Sequence, residues 1–247
     1  MEKPQKDLSQ IQLDALEKNM ALLGRLSAGV AHDINNPLTF LTTNLEYLLK
    51  KVEAGTVPDK GALVTILSEA LCGAERIKHT VQDLLTFVHP EQGELAPVDL
   101  NAIMDSAVKV LLRDVRLKAE VVKEYKKVSK VWLDPNQASQ VFYNLVENAL
   151  QALKPGGRIE LSSGEDAREV FAGIKDDGCG IPPEARARLF EPFFSTRGGT
   201  GLGLYLSRKT VESFGGRIVF ESEAGKGSRF TVFFPRGARE KFSKEVV

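Results

Sequence analysis

Cysteine, tryptophan and histidine are scarce in this chain: of 247 residues, two are cysteine, one is tryptophan and three are histidine. Cys72 and Cys179 stand far apart, so no disulfide framework staples the fold, and no cysteine–histidine spacing has the pattern of a zinc site. Net charge is also lacking. With 33 basic residues against 33 acidic ones, no overall field draws the chain to nucleic acid or to an anionic membrane, and its partners must be read from sites. No uninterrupted apolar run approaches the ~20 residues that a membrane span needs, because Arg25, His32 and Asp33 cut the longest candidates. These absences point to a reducing, cytoplasmic setting with free thiols. The charged and polar opening from Met1 to Gln12 is compatible with an upstream receptor domain.

What the sequence does have is helical periodicity. Leu13, Leu16, Met20, Leu23, Ser27, Val30 and Ile34 step by three and four alternately, the seam of a helix built to pack on other helices. After the turn-forming stretch Glu53–Asp59 the alternation returns at Leu63, Leu67, then Leu71 or Ala70, Ala74, Ile77, Val81, Leu84 and Val88. Two helices bury little by themselves, whereas two hairpins side by side close a four-helix core. The pattern predicts an antiparallel hairpin that forms a homodimer.

Pro90, Gly93 and Pro97 punctuate the next segment. The expected division is a hairpin over 1–92, a linker over 93–98, a second domain over 99–237 and a charged tail over 238–247. Beyond the linker, expected helices at Leu100–Leu112, Asn136–Leu153 and Thr200–Phe214 mix with β-rich runs at Val121–Tyr125, Arg158–Ser162, Val170–Lys175, Arg217–Ser222 and Arg229–Phe234. The fold class is α+β, an α/β sandwich with helices on one face of a sheet.

Three motifs in this second domain carry chemistry. Asn144 and Asn148 lie four residues apart on one helix, so both amides share a face while Leu145 and Ala149 turn inward. Neutral amide oxygens suit magnesium beside phosphates; taken alone, the pair also reads as two solvated amides. Asp176-Asp-Gly178-Cys-Gly180 follows a β-rich run, placing a carboxylate at a strand end above two glycines that leave room for a flat ring. A carboxylate accepts hydrogen bonds and the exocyclic amine of adenine donates them, which makes Asp176 the natural specificity contact. Gly198-Gly-Thr200-Gly201-Leu202-Gly203 precedes a helix, where bare backbone N–H groups and the helix dipole favour anions, with Arg197 just ahead. It is neither a Walker sequence nor a Rossmann turn.

The asparagine pair, Asp176-x-Gly-x-Gly, Phe190-Glu-Pro-Phe-Phe194 and Gly199-Thr-Gly-Leu-Gly203 occur in the order found in sensor histidine kinases of two-component systems, and the chain resembles that family from about Leu22 to Pro235. The resemblance implies the Bergerat or GHKL nucleotide fold, shared with gyrase, mismatch-repair and chaperone ATPases, so these boxes imply ATP with Mg2+ and not yet histidine chemistry. It further implies nucleotide contacts at Asn144, Asn148, Asp176, Gly178, Gly180, Arg197, Thr200, Gly201, Leu202, Gly203 and Ser228, with Asn144 and Asn148 at the metal. Ser228 stands where threonine is usual. The phenylalanine box borders a lid, which is short here.

Ala31-His32-Asp33-Ile-Asn-Asn36-Pro37-Leu38 resembles the family's phosphoacceptor box. His32 falls off the seam through Val30 and Ile34 and is expected to face outward, with Pro37 bending the helix beyond it. The resemblance implies phosphorylation of His32, a proton partner in Asp33, where most relatives carry glutamate, and an Asn36 that orients water for dephosphorylating the partner. It also implies phosphoryl transfer to the receiver domain of a response regulator. His79 and His89 lack such neighbours and read as structural or surface residues. Two other readings stay open at this point: an ATPase clamp of the wider superfamily and a scaffold without activity.

Overall fold

The computed structural model describes residues 8–88, 93–111, 115, 118–196 and 200–237, and the side chains of 8–19, 21–29, 33 and 76 lie outside that description. The expected seam positions Leu13, Leu16, Leu23 and Ser27, the side chain of Asp33, His89, Arg197 and the charged tail fall among the residues so left out. Two compact units make up the chain: residues 1–91 with 198–202, and residues 92–197 with 203–247.

In the first unit α1 (Leu8–Glu53) and α2 (Lys60–Val88) pack against each other as a helical hairpin. The turn is built from local chemistry at both ends. Gly55 takes φ +64, which lets Thr56 N–H reach Lys51 O at 2.9 Å and Gly55 N–H reach Val52 O at 3.0 Å, so α1 closes in a Schellman motif. Asp59 then caps α2, its Oδ1 accepting from Gly61 and Ala62 at 2.8 and 3.0 Å. α1 runs through Pro37 without a break. Gly73 of α2 lies opposite, where a Cβ would stand 3.1 Å from the Pro37 carbonyl oxygen, so a bare residue admits the close approach. Of the two registers open in the sequence, Ala70 is the buried one, and Leu71 is 65% exposed.

The second unit holds a five-stranded sheet of order β2-β4-β5-β7-β6, made of β2 (Ala119–Glu124), β4 (Gly157–Glu165), β5 (Glu169–Asp176), β6 (Arg217–Glu223) and β7 (Gly227–Pro235). Only β2–β4 is parallel. Alternate residues of the central strands, among them Ile159, Leu161, Val170, Ala172, Ile174, Val232 and Phe234, are buried in one core with α3 (Leu100–Val110) and α4 (Pro135–Ala152). Each such large apolar side chain contributes roughly 1.5–3 kcal/mol. The two-residue period that buries Val170, Ala172 and Ile174 carries Asp176 onto the same side of β5.

Two strands and a helix were not legible. β1 (Ala96–Val98) pairs antiparallel with β3 (Val131–Leu133) as a separate two-stranded sheet, and α5 (Pro183–Arg186) is a single turn. The helix after the glycine-rich loop, α6, spans Gly203–Ser213 and begins three residues later than the periodicity suggested.

Candidate functional site

α4 starts on Asp134, whose carboxylate caps it, with Pro135 in the first turn. Leu145 and Ala149 face the core as their spacing predicts, which leaves Asn144 and Asn148 on the flank. The two amides are not equivalent. Asn144 is buried, donates from Nδ2 to Gly203 O at 3.3 Å and accepts on Oδ1 from Gln140 Nε2 at 3.3 Å. It thereby ties α4 to the first residue of α6, where a Cβ on Gly203 would come 3.3 Å from its Cγ. Asn148 is half-buried and has no hydrogen-bond partner among the described residues.

Asp176 ends β5 and is 3% exposed. Its Oδ1 accepts the Gly178 N–H at 2.9 Å, and across the sheet it stands opposite Ser228. Ser228 is buried beside Ser222, with 3.0 Å between the hydroxyl oxygens. Ser222 spends its proton on Gly227 O at 2.9 Å and accepts from Ile181 N–H at 2.8 Å. The remaining proton between the two serines is therefore that of Ser228, which donates to Ser222 and keeps its own lone pairs for an acceptor role. Ser222 was missed in the sequence; only the register Ser222↔Ser228 of β6 and β7 reveals it.

The glycines after Asp176 also serve the packing of the main chain itself. A Cβ on Gly178 would fall 2.5 Å from Ala152 O, and one on Gly180, at φ +65, would fall 2.0 Å from Glu223 O. The position a Cβ would take at each is filled by this chain's own carbonyls. Cys179 N–H donates to Ala152 O at 3.1 Å and Cys179 O accepts from Gly225 at 2.8 Å, so the loop is stitched to α4 on one side and to the β6–β7 turn on the other. This brings Asn144, Asn148, Asp176, Gly178, Gly180, Gly203 and Ser228 into one unit.

Thr200, Gly201 and Leu202 fall in the other unit of the division. Gly201 has φ +64, and Thr200 Oγ1 accepts the Leu202 N–H at 3.3 Å. Arg197 is outside the described residues. In the phenylalanine segment Phe193 has φ 64, the one positive φ of a non-glycine among the described residues. Phe190 packs edge-on against Phe220, with the Arg208 guanidinium 5.2 Å from the Phe190 ring centre.

On α1, His32 and Asn36 are both exposed, with Asn36 Nδ2 3.0 Å from His32 Nε2. An amide NH2 only donates, so Nε2 is the acceptor and a neutral ring carries its proton on Nδ1. His79 is half-buried in α2.

A dication here finds few anionic ligands, since no group of three His, Cys, Asp or Glu side chains is clustered among the described residues. The donor set nevertheless fits magnesium held mainly by phosphates and water, because Asn148 offers a neutral oxygen that no group among the described residues occupies.

A helical hairpin with an exposed histidine, followed by an ATPase-type α/β unit, defines the class. The family model of the His Kinase A (phospho-acceptor) domain matches residues 22–93, and that of the histidine kinase-, DNA gyrase B- and HSP90-like ATPases matches residues 133–238. Sensor histidine kinase ZraS of Escherichia coli strain K12 is 32% identical over 234 residues, covering 93% of this chain and 49% of that protein. Sporulation kinase E of Bacillus subtilis strain 168 is 30% identical over 233 residues, 91% of this chain and 30% of the relative. Among solved structures, the catalytic domain of the histidine kinase ThkA is 30% identical with a TM-score of 0.54, over 58% of this chain and 97% of that one. ThkA in complex with response regulator protein TrrA shares the fold at a TM-score of 0.64 and 23% identity, over 96% of this chain and 69% of that one. The chain belongs to the sensor histidine kinases. It spans about half the length of the ZraS proteins, and no helix among the described residues is long and apolar enough to cross a membrane.

Proposed function

We propose that the α/β unit binds Mg-ATP and that His32 takes its γ-phosphoryl group, which then passes to an aspartate in the receiver domain of a response regulator. The observation that carries this reading is the exposed His32 ring with its Nε2 lone pair directed at Asn36. A bond forms between Nε2 and the γ-phosphorus as the bond to the bridging oxygen of ADP breaks, and the Nδ1 proton goes to a carboxylate, for which Asp33 is the proposed acceptor. Magnesium, when bound, offsets charge on the phosphate oxygens. Asn148 is the proposed protein ligand, while Asn144 holds the start of α6 and Asp176 reads the adenine amine with Ser228 beside it. Arg197 and the Thr200–Gly203 backbone are assigned to the phosphates, and Asn36 to the water that removes phosphate from the regulator.

The proposed functional division is 1–92 for the phosphoacceptor hairpin, 93–98 for the linker, 99–237 for the ATP-binding domain and 238–247 for a tail. The working form is a homodimer in the cytoplasm, closing a four-helix bundle. Leu38, Leu45 and Leu49 on α1 and Leu67, Leu71 and Leu85 on α2 support this, since all are more than 40% exposed in the single hairpin.

The test is incubation with γ-labelled ATP and magnesium. The wild type should take up label that is lost in acid and maps to His32. His32→Gln should take up none while still binding nucleotide; label on serine or threonine would overturn the reading.

A further inference from the structure

At the start of the second unit one carboxylate does two tasks. Asp134 Oδ1 accepts from Asn136 and Gln137 N–H at 2.8 and 3.4 Å, which caps α4. Its Oδ2 accepts from Gly93 N–H at 3.1 Å, and the residue is 5% exposed. A Cβ on Gly93 would stand 2.1 Å from that Oδ2, so a side chain there must displace the carboxylate or give up the bond. Beyond Gly93, the next points held by the unit are Leu95, packed on the core, and Ala96, paired with Leu133. Four residues, 89–92, stand in sequence between Val88, the last described residue of α2, and Gly93.

We propose that Asp134 is a positioning residue of the kinase reaction: by holding Gly93 it sets the length of the connection across which the ATP-binding unit serves His32. This rests on the histidine-kinase reading above. Five Cα steps from Val88 to Gly93 span at most about 17 Å, and seven steps to Leu95 about 24 Å. Effective concentration between linked partners falls with the 3/2 power of linker length or more steeply once the span is exceeded. Releasing Gly93 therefore lowers the phosphorylation rate about twofold or more and leaves nucleotide affinity alone.

The two tasks use different oxygens, so one substitution separates them. In Asp134→Asn the amide has a single acceptor oxygen, which the two helix N–H groups retain, and an NH2 that cannot accept from Gly93. Asparagine caps helices about as well as aspartate. Gly93→Ala releases the same bond while keeping the carboxylate.

The experiment uses the full chain and reads hydrogen exchange at the Gly93 amide, affinity for Mg-ADP, melting temperature and the rate of acid-labile labelling at saturating Mg-ATP. Both variants should exchange faster at Gly93, bind nucleotide and melt as the wild type does, and label at least about twofold more slowly. Deleting two of residues 89–92 from Asp134→Asn should restore the rate. Lost protection at Gly93 with an unchanged rate would overturn the proposal, as would a rate that falls only together with affinity or melting temperature. A wild type that never labels His32 would instead overturn the kinase reading on which the proposal depends.

Discussion

Asn36 Nδ2 lies 3.0 Å from His32 Nε2, one helical turn away on the exposed face of α1. The amide thus selects the tautomer in which Nε2 is the unprotonated nitrogen. Asn36→Asp reverses the polarity, because a carboxylate accepts and draws the proton onto Nε2, and a hydrogen bond to a charged group amounts to about 1.5–3 kcal/mol. Phosphorylation of His32 should slow by about tenfold or more, and its pH optimum should move upward as the adjacent negative charge favours imidazolium. Asn36→Ala should stay within about threefold of the wild-type rate while dephosphorylation of the regulator drops. Labelling rates across pH 6 to 9 check both.

The asparagine pair should divide by phenotype. Asn148→Ala should lose magnesium-dependent ATP binding and keep its melting temperature, because no partner among the described residues depends on that amide. Asn144→Ala strips the Gly203 carbonyl of its donor and should cost about 1–3 kcal/mol of stability as well as binding. Calorimetric titration with Mg-ADP and thermal melts separate the two.

The leucine stripe gives a mass prediction. Leu45→Asp with Leu71→Asp places charges at positions 45% and 65% exposed in a single hairpin, so each hairpin should still fold. A closed four-helix core would not tolerate them. Light scattering should show the dimer replaced by a monomer, and an unchanged dimer would place the interface elsewhere.

Acid should loosen the β4–β5 turn first. Asp166 is held below the usual carboxylate range by the backbone N–H groups of Arg168 and Glu169, and Glu165 by the N–H of Ser129. A lowered folded pKa means stability that is present above the unfolded value, near about 4, and lost as pH falls through the folded one. The melting temperature should therefore decline below about pH 4. Exchange at Arg168, Glu169 and Ser129 should accelerate ahead of the strand centres.

The long elements were legible because their periods extend over many residues: α1 and α2 by their seams, β5 and β7 by alternation ending at Asp176 and Phe234. β1 and β3 were not, since three residues carry no period and the pairing Ala96↔Leu133 spans distant sequence. The start of α6 was placed at Thr200, yet Gly201 takes a left-handed turn that the helix cannot contain. At the site, Asn144 and Asn148 looked alike because spacing shows a shared face and not which amide meets Gly203. Ser222 had no local signature at all.

The crowding around Gly178, Gly180 and Gly227 reaches beyond nucleotide chemistry. At Gly227, too, a Cβ would lie 2.0 Å from the Asp176 carbonyl oxygen. A saturation library scored only for expression yield, with no ATP in the assay, should therefore be depleted at all three positions. Their intolerance would record how closely main chains run past one another, so an inactive variant at any of them speaks of assembly before it speaks of catalysis.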